Sequence, residues 1–137
     1  MIFYELNAET PSKKNSKVFN TKTHRMFPSA KYKAWHDYAE LVVKPKIAEC
    51  IQSKCYVIFV FCHGDNVRRD PDNQVSSIFD MLQDFEAIRD DRWQIVPHHH
   101  VFNTYDKNNP WCKVFIFKPE EKKEYIELVL NCIEKYE

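Results

Sequence analysis

The sequence predicts an α/β (α+β) domain: a single mixed β-sheet of about four to five strands with helices packed on it, in the order β(β)α-β-α-β-β-α. Three observations carry this. Residues 55–62, Cys-Tyr-Val-Ile-Phe-Val-Phe-Cys, are apolar without polar alternation, the pattern of a central strand covered on both faces. Stretches beginning near Ser29, Gln74 and Glu120 repeat their apolar residues at helical spacing. At 137 residues the chain fits one domain, residues 1–137, with enough apolar side chains to bury a core.

Taken in order, Ile2 to Leu6 reads as a first strand. A polar basic loop from Pro11 to Lys17 follows, then Val18-Phe19 as the start of a short second strand, and residues 20–28 read as irregular. Ser29 is the candidate N-cap of a helix whose stripe is Trp35, Tyr38, Ala39 and Val42, continued by Ile47, Cys50 and Ile51. Trp35 reads as a core anchor. Pro45 cannot donate to the residue four back, so the helix should kink or break near Val43–Lys44. After the central strand, Val75, Ile78, Phe79 and Leu82 mark a short helix from Gln74 to Leu82. Trp93 to Phe102 reads as a strand with a bulge or edge position at Pro97. Asp106 to Pro110 is a turn, and Trp111 to Phe117 a strand pairing back on the previous one. Pro119, Glu120 and Glu121 open the last helix, with Tyr125, Ile126, Val129, Cys132, Ile133 and Tyr136 as its apolar face.

Composition narrows the chemistry. One glycine in the whole chain argues against the Gly-rich phosphate loops of P-loop or dinucleotide-binding proteins. Five cysteines without a Cys-x-x-Cys read as small core residues of a reduced, cytosolic chain. The N-terminus lacks a signal-peptide pattern, and the longest apolar run is too short to span a membrane. The formal net charge is zero, yet residues 1–47 hold nine Lys/Arg against four acids, while residues 64–95 hold eight acids against four Arg. A basic arm beside an acidic pocket suits a metal-dependent enzyme acting on a polyanion.

The pocket centres on Arg68-Arg69-Asp70-Pro71-Asp72-Asn73 and on Asp90-Asp91. In an extended approach Asp70 and Asp72 point to one side, and Asp72 or Asn73 can cap the helix that follows. If the chain folds back after that helix, Asp90 and Asp91 return near the place where Asp70 and Asp72 left it. Carboxylates gathered at one point repel unless a cation sits among them, and hard oxygen ligands suit Mg²⁺ or Mn²⁺. Asp80, Ser76 and Asn73 share one helix face. Asp80 either extends the ligand set or simply faces solvent. Lys13, Lys14 and Lys17 are either a solvated loop or contacts to DNA phosphates.

Pro11-Ser12-Lys13-Lys14-Asn15-Ser16, then Pro28-Ser29 with Tyr32 and Trp35, then Arg69-Asp70-x-Asp72-Asn73 with Asp80-x-Leu82, then Ile88-x-Asp90-Asp91 together resemble the RusA-type Holliday-junction resolvases. The resemblance runs over nearly the whole chain. It implies a homodimeric, Mg²⁺-dependent endonuclease (Mn²⁺ serving as well) that resolves four-way DNA junctions by paired nicks in the cytoplasm of a bacterial or phage-infected cell. Asp70, Asp72 and Asp91 would be the catalytic, metal-binding carboxylates, with Asp90 beside them. Lys13, Lys14, Lys17, Arg68, Arg69 and Asn73 would meet the DNA. Members of that family carry a lysine three residues after the D-x-D-N asparagine, where this chain has Ser76. A lysine there could hold the scissile phosphate or offset transition-state charge.

Two other readings stand beside this one. The first is a catalytically weakened, junction-binding protein of the same fold. The second is an unrelated zinc-binding domain built from Cys62, His63 and the run His98-His99-His100, in which a strand would turn His98 and His100 one way and His99 the other.

Overall fold

The computed structural model describes residues 1–13 and 17–136. Among these residues six strands and three helices follow in order: β1 (Ile2–Leu6), β2 (Lys17–Asn20), β3 (Arg25–Pro28), α1 (Ala30–Val43), β4 (Tyr56–His63), α2 (Pro71–Asp84), β5 (His98–Tyr105), β6 (Trp111–Phe117) and α3 (Lys122–Lys135). Four strands make one mixed sheet in the order β1-β6-β4-β5. β4 and β5 run parallel, and β6 lies antiparallel to both β1 and β4. The fold is α+β, as expected.

The wholly apolar β4 organises both layers. Alternate side chains of a strand face opposite sides, so Val57, Phe59 and Phe61 enter one buried cluster while Tyr56, Ile58 and Val60 enter the other. On the first face lie Trp35, Ala39 and Val43 of α1 with Val75, Ile78 and Leu82 of α2. On the second lie Tyr125, Val129 and Cys132 of α3. Neither face of β4 can bear water, which is why it lies inside the sheet. Four of the cysteines are buried, Cys50 is half-buried, and all five are free thiols. Burial pushes the Cys55 thiol up to about 11 and the Cys112 thiol up to about 12.

Several sequence expectations are corrected. Residues 20–28 are not irregular: Arg25–Pro28 pairs with Lys17–Asn20 as a separate two-stranded ribbon. Its turn is held by Asn20 Oδ1, which accepts from the N–H of Lys22 at 2.9 Å and of Thr23 at 3.2 Å. The first helix has Ser29 as its N-cap, the hydroxyl accepting from Tyr32 N–H at 3.2 Å. It ends at Val43, ahead of Pro45, with one 3-10 turn at Lys44–Lys46, so Ile47, Cys50 and Ile51 do not continue it. Trp93 to Val96 is a turn, not strand: the N–H groups of Ile95 and Val96 both donate to Arg92 O at 2.9 Å. Pro97 precedes β5 rather than interrupting it. The Trp111–Phe117 strand pairs with β1 and β4, not with the strand before it. On α3, Ile126 and Ile133 are exposed rather than buried.

Two features set up the functional region. α2 begins at Pro71, earlier than its apolar pattern suggested, so Asp70 takes the N-cap position and Asp72 and Asn73 lie inside the first turn. Neither Asp72 nor Asn73 caps the helix, and Asp70 and Asp72 do not alternate along an extended chain. At the other end, Glu86 takes a left-handed backbone (φ 61°) and Ala87 N–H reaches back to Leu82 O at 2.8 Å. A parallel bridge between Ile51 and Ile88 then fixes the return leg directly ahead of Asp90. Among the described residues no helix is long and apolar enough to cross a membrane.

Candidate functional site

The start of α2 is a network of compensated charges. Arg69 donates to Asp65 at 2.6 and 3.1 Å and its guanidinium lies 3.2 Å from Glu9. That pairing and the Val67 N–H hold the Asp65 carboxyl down to about 2. Glu9 also meets His63 Nδ1 at 3.1 Å and accepts from Gln74 Nε2 at 3.3 Å. His63 stands at the end of β4, where its Nε2 lies 2.9 Å from Asn103 Oδ1. Glu9, Arg69 and Gln74 line a cleft of about 290 Å³ with Arg68, Asp70 and Asn73. Asp70 is exposed in its wall and Asp72 is exposed on the first turn of α2, and the positive end of the helix dipole favours both carboxylates.

One face of α2 clamps the loop that carries the basic residues. Gln74 Nε2 donates to Thr10 O at 2.9 Å. Ser77, fully buried, donates to Pro11 O at 2.7 Å and accepts from Lys13 N–H at 3.0 Å. The backbone of Lys13 is thereby fixed, and its ammonium lies 3.6 Å from Asp80 and 5.7 Å from the Tyr32 ring centroid. Asp80 therefore has a cation beside it rather than facing solvent alone. Burial first, and then the charges of Asp80 and Asp84, push the Tyr32 phenol up to about 12.

The far end of α2 gathers acids. The Asp91 carboxyl is pushed up, first by loss of solvent and then by the neighbouring charges of Asp90 and Asp80, although the residue as a whole is exposed. Asp90 accepts from Arg92 N–H at 3.0 Å, a local turn within the return leg. The charges of Asp80 and Asp90 thus reach the Asp91 carboxyl, and Lys13 stands beside Asp80. Asp70, Asp72 and Asp91 do not form a group with ligand atoms within 4.8 Å of one another. Among the described residues, His36, Asp37 and Glu40 do. Mg²⁺ keeps several of its waters and takes only one or two carboxylates directly. One ion ligated directly by Asp70, Asp72 and Asp91 would therefore require these side chains to come closer together than they stand here.

No protein-family model matches this chain, and no curated protein matches it.

The remaining candidates separate clearly. Lys14 lies outside the described residues. Lys17 is exposed at the start of β2, Arg68 is exposed in the cleft wall, and Ser76 is half-buried on α2. Asn73 offers its carbonyl oxygen to Ser77 Oγ at 3.2 Å. The strand register places Tyr56 beside His98 and His63 beside Tyr105, so Cys62-His63 and the histidine run occupy opposite ends of β4, about 20 Å apart at the usual rise per residue. They share no site. His98 lies against Tyr56, His100 Nδ1 meets the Tyr125 hydroxyl at 2.6 Å, and His99 faces Phe59 and Phe79 on the other side. Sequence reasoning did not find Glu9, His63, Gln74 and Ser77 as partners. The signal for two of them was local: Gln74 and Ser77 are polar residues three apart among the apolar positions of one helix.

Proposed function

We propose that the chain is a Mg²⁺-dependent endonuclease, Mn²⁺ serving as well, that cuts four-way branched DNA by paired nicks. The observation that carries this reading is the placement of the motif acids on one helix and its return leg: Asp70 and Asp72 at the start of α2, Asp90 and Asp91 beside Asp80 further along. Asp70, Asp72 and Asp91 would hold the ion, with Asp90 at its side. When bound, such an ion polarises the scissile phosphate and lowers the pKa of a water that attacks it. Lys13 holds a phosphate from the side where Ser76 offers no charge, because Ser77 pins its backbone and Asp80 its ammonium. Arg68 extends the positive edge of the cleft. Arg69 serves chiefly to hold Asp65 and Glu9.

Two cuts across a two-fold junction call for two equal sites, and a closed two-fold dimer presents them. On α3, Ile126, Leu130 and Ile133 are exposed at i, i+4 and i+7, an apolar stripe suited to a second copy of the chain. Leu130→Glu should turn a dimer into a monomer in sedimentation, and a wild-type monomer with and without junction DNA would overturn the pairing. On this reading the protein would act in the cytoplasm of a bacterial or phage-infected cell.

Ser76 in place of a lysine supports a second reading, a protein that binds junctions with weakened cleavage. A synthetic four-way junction incubated with Mg²⁺ separates the two. Paired nicks that stop on chelation support the enzyme, and tight binding with no nick supports the weakened form.

A further inference from the structure

The β2–β3 ribbon leaves apolar side chains on both of its faces in water. Opposed residues share a face, so Phe19 with Met26 forms one side and Val18 with Phe27 the other. Phe19 is 51% exposed, Met26 57%, Phe27 43% and Val18 43%. A solvated hairpin has no folding reason for this. Burying such side chains stabilises a fold, and here that gain is not taken. The ribbon is nonetheless well set: its turn is held by Asn20, its register is complete, and the His24 ring lies 6.3 Å from that of Phe19.

Charge identifies the occupant. Residues 10–36 carry seven Lys or Arg and no Asp or Glu, and Lys17, Lys22 and Arg25 lie in the ribbon itself. A second copy of the same ribbon would bring like charges together, whereas a polyanion would be drawn to it. Aromatic rings among cations match the way unpaired bases are bound, by stacking on the ring with the backbone held by Lys and Arg. Phe27 also walls a groove of about 410 Å³ shared with Lys13, Tyr32 and Lys33, with His36 and the carboxylates of Asp37 and Asp84 also in its lining. The cations that would hold a backbone there are therefore Lys13 and Lys33. That groove leads from the ribbon to the ammonium that sits on Asp80.

We propose that the β2–β3 ribbon is a stacking platform for unpaired DNA bases, with Phe19 on its outer face and Phe27 over the groove, which feeds the strand toward Lys13 and the acids of α2. The platform rests on the endonuclease reading for the choice of DNA and goes further in naming what is gripped: splayed bases at a branch rather than continuous duplex.

The test is binding without metal, so that no cleavage is needed. A four-way junction carrying 2-aminopurine at the branch, a single-stranded oligomer and a plain duplex are titrated in chelator. Phe19→Ala and Phe27→Ala should each weaken junction and single-strand binding by about 5- to 150-fold, leave duplex binding within about twofold, and abolish the 2-aminopurine fluorescence change. Phe→Trp at either position should restore all three. Both side chains are exposed, and a thermal melt checks that the alanine variants stay folded. Equal losses on duplex and junction, no loss on any DNA, or tighter binding to RNA of the same sequence would overturn the platform. Mg²⁺ nicking by the wild type reports on the endonuclease separately: a platform that grips bases in a protein that never nicks leaves the inference standing and removes the enzyme.

Discussion

The two ends of α2 carry similar acids in opposite electrostatic company. At its start, Asp65 is paired with Arg69 and held down to about 2, and Glu9 is tied to Arg69, His63 and Gln74. Two to three turns later, Asp91 is pushed up by desolvation and by Asp90 and Asp80, with one lysine nearby. Compensated charges hold a fold together. Crowded ones oppose it, and persist where something else, such as a cation, is to be bound. The contrast assigns a structural role to the paired charges at the cleft beneath Asp70, and under the proposed function the uncompensated acids around Asp91 are where an ion would act.

The largest effect should come from joining the two ends through one ion. Asp70→Asn, Asp72→Asn and Asp91→Asn each replace a charge by a near-isosteric neutral group. Each should lower junction nicking in Mg²⁺ by at least about 100-fold while leaving junction binding intact, since even groups that merely support a metal ligand are worth about 10–100-fold. Gel assays of nicking and binding on the same junction check this. If Asp91→Asn nicks normally while Asp70→Asn does not, the two ends do not share an ion and the site shrinks to the start of the helix.

A second, smaller effect tests what holds Lys13 at the far end. Ser77→Ala removes the hydroxyl that satisfies Pro11 O and the Lys13 N–H, leaving both without that partner. Stability should fall by about 1–3 kcal/mol, seen as a lower denaturant midpoint at unchanged slope. Nicking should fall further than stability alone accounts for, because Lys13 loses its position. Ser77→Thr, which keeps the hydroxyl, should recover nicking before it recovers stability, since the added methyl group crowds a fully buried position. A Ser77→Ala variant as active as wild type would make the clamp purely structural.

How much of this was legible in the sequence follows from the range of each interaction. The unbroken apolar run of β4 announced a strand covered on both faces, because that demand is local. The partners of Trp111–Phe117 were not legible. Its alternation fits any neighbour, and what puts it between β1 and β4 is the need of β4 to be flanked on both sides. The ribbon was half seen at Val18-Phe19 and then lost, because its turn uses His24 at φ 55° instead of a glycine signal. Trp93-Gln94-Ile95-Val96 has strand-forming residues, yet local bonds to Arg92 win. The motif acids were legible as charges on a short stretch of chain. The Glu9–His63–Gln74 network was not, because its members are far apart in sequence and meet only when β4, α2 and the loop after β1 come together.

The smallest effect is a difference of sign. Asp65 has a folded pKa below its unfolded value, so its contribution to stability is present above the ordinary carboxylate range and is lost as pH falls toward 2. Asp65→Asn should therefore destabilise the protein at neutral pH and stop doing so near pH 2. Asp91 is the opposite case. Its folded pKa lies above the unfolded value, so it contributes stability at low pH, where it is protonated, and this is lost as pH rises through the folded pKa. At neutral pH the ionised group opposes folding, and Asp91→Asn should raise the stability, by no more than about 0.5 kcal/mol for so exposed a residue, and with it the melting temperature. Below about pH 4 the gain should vanish. Mg²⁺ sharpens the comparison: an ion held by Asp91 relieves the same repulsion, so Mg²⁺ should stabilise the wild type more than Asp91→Asn and treat Asp65→Asn like the wild type. Melting curves of the three proteins at pH 3 and pH 7, with and without Mg²⁺, read all of these signs. Parallel pH profiles for the two variants would erase the contrast between the ends of α2.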